Sequence, residues 1–236
     1  MDIAKIKEIT RDTDGWLSDR EGELLYELAQ NCKGRGVIVE IGSWKGKSTI
    51  WLAKGSEKGA KSKIYAIDPH TGSPEHGKKV WTYDEFRANI KKAGVEKMVI
   101  PIVKNSLEAV SEFEEPVELL FIDGAHEYEA VKSDLKAWFP KVIDGGIIAF
   151  HDSAGWGRWP GVEKAVVEHV YKSDKFRNVK FVQSITFGQK VSENNFTERL
   201  KNRYTLLLKI IADFGDGLHL PVPVRRIGKK ILLLLK

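Results

Sequence analysis

The sequence predicts a doubly wound, Rossmann-like α/β fold: a mostly parallel sheet of about seven strands with helices on both faces. Three observations carry that expectation. Short apolar runs rich in β-branched residues alternate with amphipathic stretches of helical spacing. The first such run, Val37 to Ile41, breaks into a turn with two glycines, Gly42 and Gly46, and a helical stretch follows at once. Acids stand at the ends of successive runs, at Glu40, Asp68, Asp123 and Asp152, the edge where open α/β sheets bind ligands.

The 236-residue chain is long enough for one such domain with a sizeable core, and 42% hydrophobic with 30% charged content is ordinary for a soluble globular protein. Its single cysteine, Cys32, excludes an intramolecular disulfide and suits a reducing compartment. No leader pattern opens at Met1 and no apolar run is long enough to span a bilayer. The expected location is therefore the cytoplasm, extending to the inner membrane surface if the tail binds there. The net charge of +5 is unevenly spread: residues 201–236 sum to +6 and residues 1–200 to −1. The near-neutral body shows no aromatic-and-basic face or known module for nucleic acid.

Residues 1–17 are weakly patterned and read as a lead-in helix or arm. Ser18-Asp19-Arg20-Glu21 is a capping box, and Leu24, Leu25, Leu28 and Ala29 give the helix behind it an apolar stripe. Trp16 and Leu17 read first as a hydrophobic staple and second as a lid. Gly34 and Gly36 stop the helix before the first strand. The turn from Gly42 to Ser48 then separates three ligand classes. A phosphate-cradling loop needs four residues between its first glycine and Gly-Lys-Ser, and this chain has three. A dinucleotide turn needs a glycine where this chain has Trp44. What stays is a nucleotide-type cofactor without a diphosphate, beside the free N–H groups of the helix opening at Ser48.

Lys63 to Asp68 is a second strand, and Asp68 is placed to accept hydrogen bonds from ribose hydroxyls. The loop from Pro69 to Thr82, with His70, His76 and Trp81, is long enough to form part of a substrate wall. Asp84 to Lys92 reads as helix and Met98 to Val103 as a third strand. Asn105-Ser106 follows, with Ser106 also an N-cap candidate for a helix over 107–113. A fourth strand from Val117 ends in Asp123, and Tyr128, Val131, Leu135 and Trp138 share the core face of the next helix. Asp144-Gly145-Gly146 reads as a turn into a fifth strand, Ile147 to Phe150, which ends in His151-Asp152. Acids and a histidine converging at one sheet edge are costly unless paired or bound to a cation. In the glycine-rich loop 153–161, Trp156, Arg158 and Trp159 suit stacking on a ring and recognition of an acidic group, or else pin the loop to the core. A helix over 162–172 and two antiparallel strands, 176–183 and 186–191, close the sheet.

Two stretches resemble known enzymes. Glu40-Ile41-Gly42-Ser43-Trp44-Lys45-Gly46 resembles the first motif of class I S-adenosylmethionine (SAM)-dependent methyltransferases. Phe121-Ile122-Asp123-Gly124-Ala125-His126-Glu127-Tyr128, a helix ending in Trp138-Phe139-Pro140, then Gly145-Gly146 and His151-Asp152, look like metal-assisted O-methyltransferases. The macrolide-sugar type is the nearer resemblance and the catechol type the more distant, over roughly residues 15–190. The resemblance implies that Glu40, Gly42, Ser43, Trp44, Ser48, Asp68, Ser106 and Asp123 hold SAM. It implies a divalent ion at Asp123 and Asp152, with His151 standing where those families have an acid. Oxygen ligands suit magnesium, whereas a histidine ligand tilts the site toward manganese, iron or zinc. His126 matches the general base of the sugar-modifying branch, with capping of the helix opening at Glu127 as its other reading.

The implied function is methyl transfer to a hydroxyl of a small molecule: a sugar, a glycoside or a lipid-linked glycan. Two other readings stay open: a redox-iron hydroxylase of the same fold built on Asp123, His126, His151 and Asp152, and a non-catalytic scaffold that docks through its tail. The expected SAM-binding domain is 1–192, with its core over about 15–191, and 193–236 is a helical basic extension. In that extension Phe196, Leu200, Tyr204, Leu207, Leu208 and Ile211 fit one helical face. Leu220 to Lys236 combines clustered cations with an apolar end, which lies on an anionic membrane surface or packs on the body or on a second subunit of a homo-oligomer.

Overall fold

The computed structural model describes residues 3–72, 80–155 and 159–217. Two helices, α1 (Ile3–Arg11) and α2 (Asp19–Gln30), precede the sheet, and α2 opens on the predicted capping box, in which Ser18 and Glu21 satisfy each other's backbone N–H. Strands and helices then alternate: β1 (Val37–Ile41), α3 (Lys47–Lys58), β2 (Ile64–Ile67), α4 (Tyr83–Lys92), β3 (Val99–Ile102), α5 (Ser106–Ser111), β4 (Val117–Ile122), α6 (Tyr128–Trp138), β5 (Val142–Phe150) and α7 (Pro160–Val166). The hairpin β6 (Phe176–Val182) and β7 (Ile185–Lys190) leads into the long α8 (Phe196–Gly217).

The strands form one sheet in the order β3-β2-β1-β4-β5-β7-β6. β1 to β5 are parallel, and β7 runs antiparallel to both β5 and β6. Every residue of β1 and β4 is buried, as expected of central strands covered by helices on both faces. One face packs on α2 and α3 through Ile38, Leu119, Phe121 and Trp51; the other packs on α6 and α7 through Val39, Leu120, Phe150 and Trp138. The strand order reverses between β1 and β4, so their carboxyl ends part and leave a crevice.

Four features differ from the sequence expectation or extend it. Asp144-Gly145-Gly146 is not a turn before the fifth strand but part of β5. Val117 pairs with Val142 and Leu119 with Ile147, so the intervening residues bulge out, with Gly145 at a φ of +80°. The N-cap of α5 is Asn105 rather than Ser106: Asn105 accepts the Glu108 N–H, which frees the Ser106 hydroxyl. At one end of the sheet, the carbonyls of Met98 and Ile102 bond to β2, so the alternate residue Pro101 turns its nitrogen to the open edge. At the other end, α8 lies on β6, where Asn202 donates to the Phe176 carbonyl and accepts the Val179 N–H. Leu208 turns inward there with Leu206, while Phe196, Leu200, Tyr204, Leu207 and Ile211 face outward.

Candidate active site

A cavity of about 910 Å³ opens at the crevice between the carboxyl ends of β1 and β4. That is at the upper end of ordinary ligand pockets and leaves room for more than one small molecule. Its floor is the Gly42 turn. Gly42 has a φ of +87°, and a Cβ there would stand 2.1 Å from the Asp123 carbonyl oxygen, so β1 and β4 can approach this closely only without a side chain. Ser43 and Ser48 line the wall next to it, and Trp44 adopts a φ of +47°.

Asp68, at the end of β2, fixes that turn. One carboxylate oxygen accepts the Trp44 N–H at 2.7 Å and the other accepts the His70 N–H at 2.6 Å. A carboxylate has about four acceptor directions, so Asp68 keeps capacity toward the cavity it lines. Glu40 lies deeper. It is fully buried beneath the cavity rather than in its wall, accepts the Thr49 hydroxyl on one oxygen, and has no partner on the other among the described residues. Burial raises its carboxyl to about 8, with Asp123 and Asp68 adding to the effect. On the far wall the Ser106 hydroxyl donates to Asp134, a buried acid of α6 raised by burial.

Asp123, His126, His151 and Asp152 converge at the ends of β4 and β5. His151 Nδ1 lies 2.9 Å from Asp123 Oδ1 and 3.2 Å from Asp152 Oδ2, and its Nε2 lies 3.8 Å from Glu21. Burial alone would lower the pKa of this imidazole, but the three carboxylates around it raise it well above the usual value. The surrounding carboxylates thus favour the protonated form of His151. Burial raises Asp123, partly opposed by His151; Asp152 and Glu21, also pushed up by burial, are carried below the usual range by their histidine and hydroxyl partners. His126 stands on the cavity side, with Nε2 3.4 Å from Asp152 and its ring stacked on Trp159 at 3.9 Å and 16°. Helix α6 has Glu127 at its N-cap position, so the His126 side chain does not serve as the cap.

The segment ahead of α2 closes the cavity from above. Trp16 is 62% exposed and meets Trp44 at 5.8 Å, while Leu17 is buried. Trp16 is thus a wall of the cavity rather than a staple on α2. Lys45 reaches Asp14, and Lys47 donates to the Gly15 carbonyl, so the glycine turn holds this segment in place. Trp156, Arg158 and His76 lie outside the described residues. Two contributors were not singled out as site residues in the sequence, Glu21 (seen only as a capping box) and Asp134, while Trp16 stands where its second reading, a lid, put it. Asp134 had a readable signal, because an acid three residues past Val131 and four before Trp138 sits in an otherwise apolar stripe.

Comparison with known proteins agrees with this layout. Residues 39–153 match a family described as a methyltransferase domain. A catechol O-methyltransferase of Mycobacterium tuberculosis is 31% identical over 175 residues, spanning 65% of this chain and 74% of that protein. The chain belongs to the class I SAM-dependent methyltransferases. An uncharacterized protein of Sinorhizobium fredii, y4gI, is 38% identical over 61 residues, which is 24% of this chain and only 7% of that one. The O-methyltransferase TomG of Streptomyces achromogenes, involved in tomaymycin synthesis and solved with SAM, shares the fold with a TM-score of 0.57 at 18% identity, covering 80% of this chain and 89% of that one.

This methyltransferase has polar atoms suited to its family's cofactor. The Ser43 hydroxyl, in the cavity wall, is buried without a hydrogen-bond partner among the described residues. Unsatisfied buried groups are rare and point to a missing partner. A donor set for a divalent ion is also present: one ligand atom each from Asp123, His126 and Asp152 lies within 4.8 Å of the others. That trio uses His126 where the sequence reading placed His151, which is turned instead toward Glu21 and the two aspartates.

Proposed function

We propose that this methyltransferase transfers a methyl group from SAM to a hydroxyl of a small ring-bearing molecule carrying neighbouring hydroxyls, with a sugar or glycoside as the preferred class. The observation that carries the reading is that Asp123, His126 and Asp152 together line a cavity whose wall also holds Trp16, Trp44 and Trp159. Tryptophan faces suit the flat or apolar side of such a ring. The catechol relative's name points to the same adjacent-hydroxyl chemistry on an aromatic ring.

In this reading Gly42, Ser43, Ser48 and Asp68 hold the cofactor from the β1 and β2 side, Ser106 bounds its far end, and Glu40 supports the turn from below. Asp123 and Asp152 hold a divalent ion, magnesium in preference to manganese or iron. When bound, that ion lowers the pKa of an acceptor hydroxyl. The cluster has the carboxylates for it: Glu21, Asp123 and Asp152 surround His151, and His126 stands beside Asp152. His126 takes the acceptor's proton, with Asp152 and the Trp159 ring fixing its plane. His126 as a third ligand is the second reading, favoured by its place in the same trio.

Calorimetry with S-adenosylhomocysteine, then an acceptor screen of sugars and catechols with magnesium, tests the proposal. His126→Ala is expected to lower turnover by about 10²–10⁴-fold, leaving S-adenosylhomocysteine and magnesium affinities within about threefold of wild type. Loss of magnesium binding in that variant would make His126 a ligand, and loss of cofactor binding would remove both roles.

A further inference from the structure

We propose that the outer face of α8 is a docking surface for an anionic lipid bilayer. The inner face of this helix is fully engaged: Asn202 bridges to β6, Leu206 and Leu208 are buried, and Lys209 is completely buried between Glu163 and Asp213, 2.6 Å from each. The opposite face is apolar as well. Phe196, Leu200, Tyr204, Leu207 and Ile211 recur at spacings of three and four residues and are 45% to 74% exposed. A surface helix should be polar on its outer side, so a second apolar stripe marks a second partner.

Charge identifies the partner. Arg199 and Arg203 are exposed around the first half of the stripe, as is Lys201, which is paired with Glu198 at 2.8 Å. The sequence continues for 19 residues beyond Gly217 with five Lys/Arg and no acid. An apolar face rimmed by cations fits the interface of a bilayer with anionic headgroups. The same rim opposes a second copy, because a seam between two such faces would bring like charges together. No helix among the described residues is long and apolar enough to cross a membrane, and the proposed contact is with the bilayer surface.

The surface sits next to the candidate site. Asp213 accepts the N–H of Gly155 at 2.9 Å, three residues beyond Asp152, and Lys209 ties Asp213 to Glu163 of α7. Through Asp213 a docked α8 would tether Gly155, just past the end of β5, on the side of the helix turned away from the bilayer and one helix diameter, about 10–12 Å, from it, which suits an acceptor that is itself membrane-anchored. That acceptor class rests on the methyl-transfer reading; the docking does not, and the test reads binding alone.

The test is flotation of the full chain with vesicles of phosphatidylcholine, with and without phosphatidylglycerol. We expect binding to the mixed vesicles and little to the neutral ones. Leu207→Glu/Ile211→Glu and, separately, Arg199→Gln/Arg203→Gln should each lower vesicle affinity about tenfold or more, with circular dichroism and S-adenosylhomocysteine binding unchanged. The proposal falls if the wild-type chain leaves mixed vesicles unbound, or binds neutral ones equally well. It also falls if both folded variants bind like wild type, which would place the affinity in the tail alone. If the Leu207/Ile211 variant misfolds, the arginine pair decides. A dimer in light scattering that Leu207→Glu/Ile211→Glu dissociates, with no vesicle binding, would assign the face to a second copy instead.

Discussion

Gly42 and Asp123 follow different strands, β1 and β4, yet their backbones pass too close for a side chain at position 42. An alanine at position 42 would combine a left-handed φ with a Cβ 2.1 Å from a backbone oxygen that cannot rotate away. Gly42→Ala should cost about 3 kcal/mol or more in unfolding free energy and weaken S-adenosylhomocysteine binding, measured by denaturant titration and calorimetry. Gly42, Asp68 and Asp123 were legible in the sequence because each follows a strand, and strand ends in a doubly wound sheet meet at one edge. Glu21 was not, because its first oxygen does the local work of a capping box while its second reaches Ser184, 163 positions away. Tertiary docking, not local pattern, brings it to His151.

Among elements, α8 departs furthest from its sequence reading. Its periodicity showed a helix, but a stripe of apolar residues alone does not say which side meets the body. The polar residues decide it: Asn202, Lys209 and Asp213 are the ones that face inward. Lys209 is the most consequential, since its removal leaves Glu163 and Asp213 facing each other across α7 and α8. Lys209→Ala should therefore destabilise the fold by about 3–5 kcal/mol, read as a fall in Tm. Lys209→Met keeps the volume and separates lost packing from lost charge. The described part of the extension, α8, packs on β6 and α7 through Asn202 and Lys209. The bulge in β5 escaped the sequence reading for a different reason. Asp144-Gly145-Gly146 has turn chemistry, and it is the long-range pairing of Val142 with Val117 and of Ile147 with Leu119 that holds it in the sheet.

For the molecule as a whole, the buried charges predict an unbound protein most stable on the acid side of neutrality. Glu40, with a carboxyl raised to about 8, favours the unfolded chain increasingly as pH climbs from about 4.5 toward 8. His151 acts in the same sense: its stabilisation is complete below its ordinary pKa and lost as pH rises through the elevated one. Glu21, lowered to about 2, sets the acid limit, because its contribution is present above about 4.5 and lost as pH falls toward 2. Thermal melts across pH 4.5–8 should show wild type losing stability. Glu40→Gln should flatten that limb by on the order of 3 kcal/mol. An unchanged slope in Glu40→Gln would mean that Glu40 is ionised in the folded state.

The sheet's two ends also bear on how this protein avoids its neighbours. β6 is roofed by α8, and β3 turns the nitrogen of Pro101, which carries no hydrogen, toward the open side. A strand from another molecule would find a gap in the row of donors it needs. Crowded copies of this protein should therefore resist stacking into extended ribbons, and a substitution such as Pro101→Val would restore the missing donor and open that route.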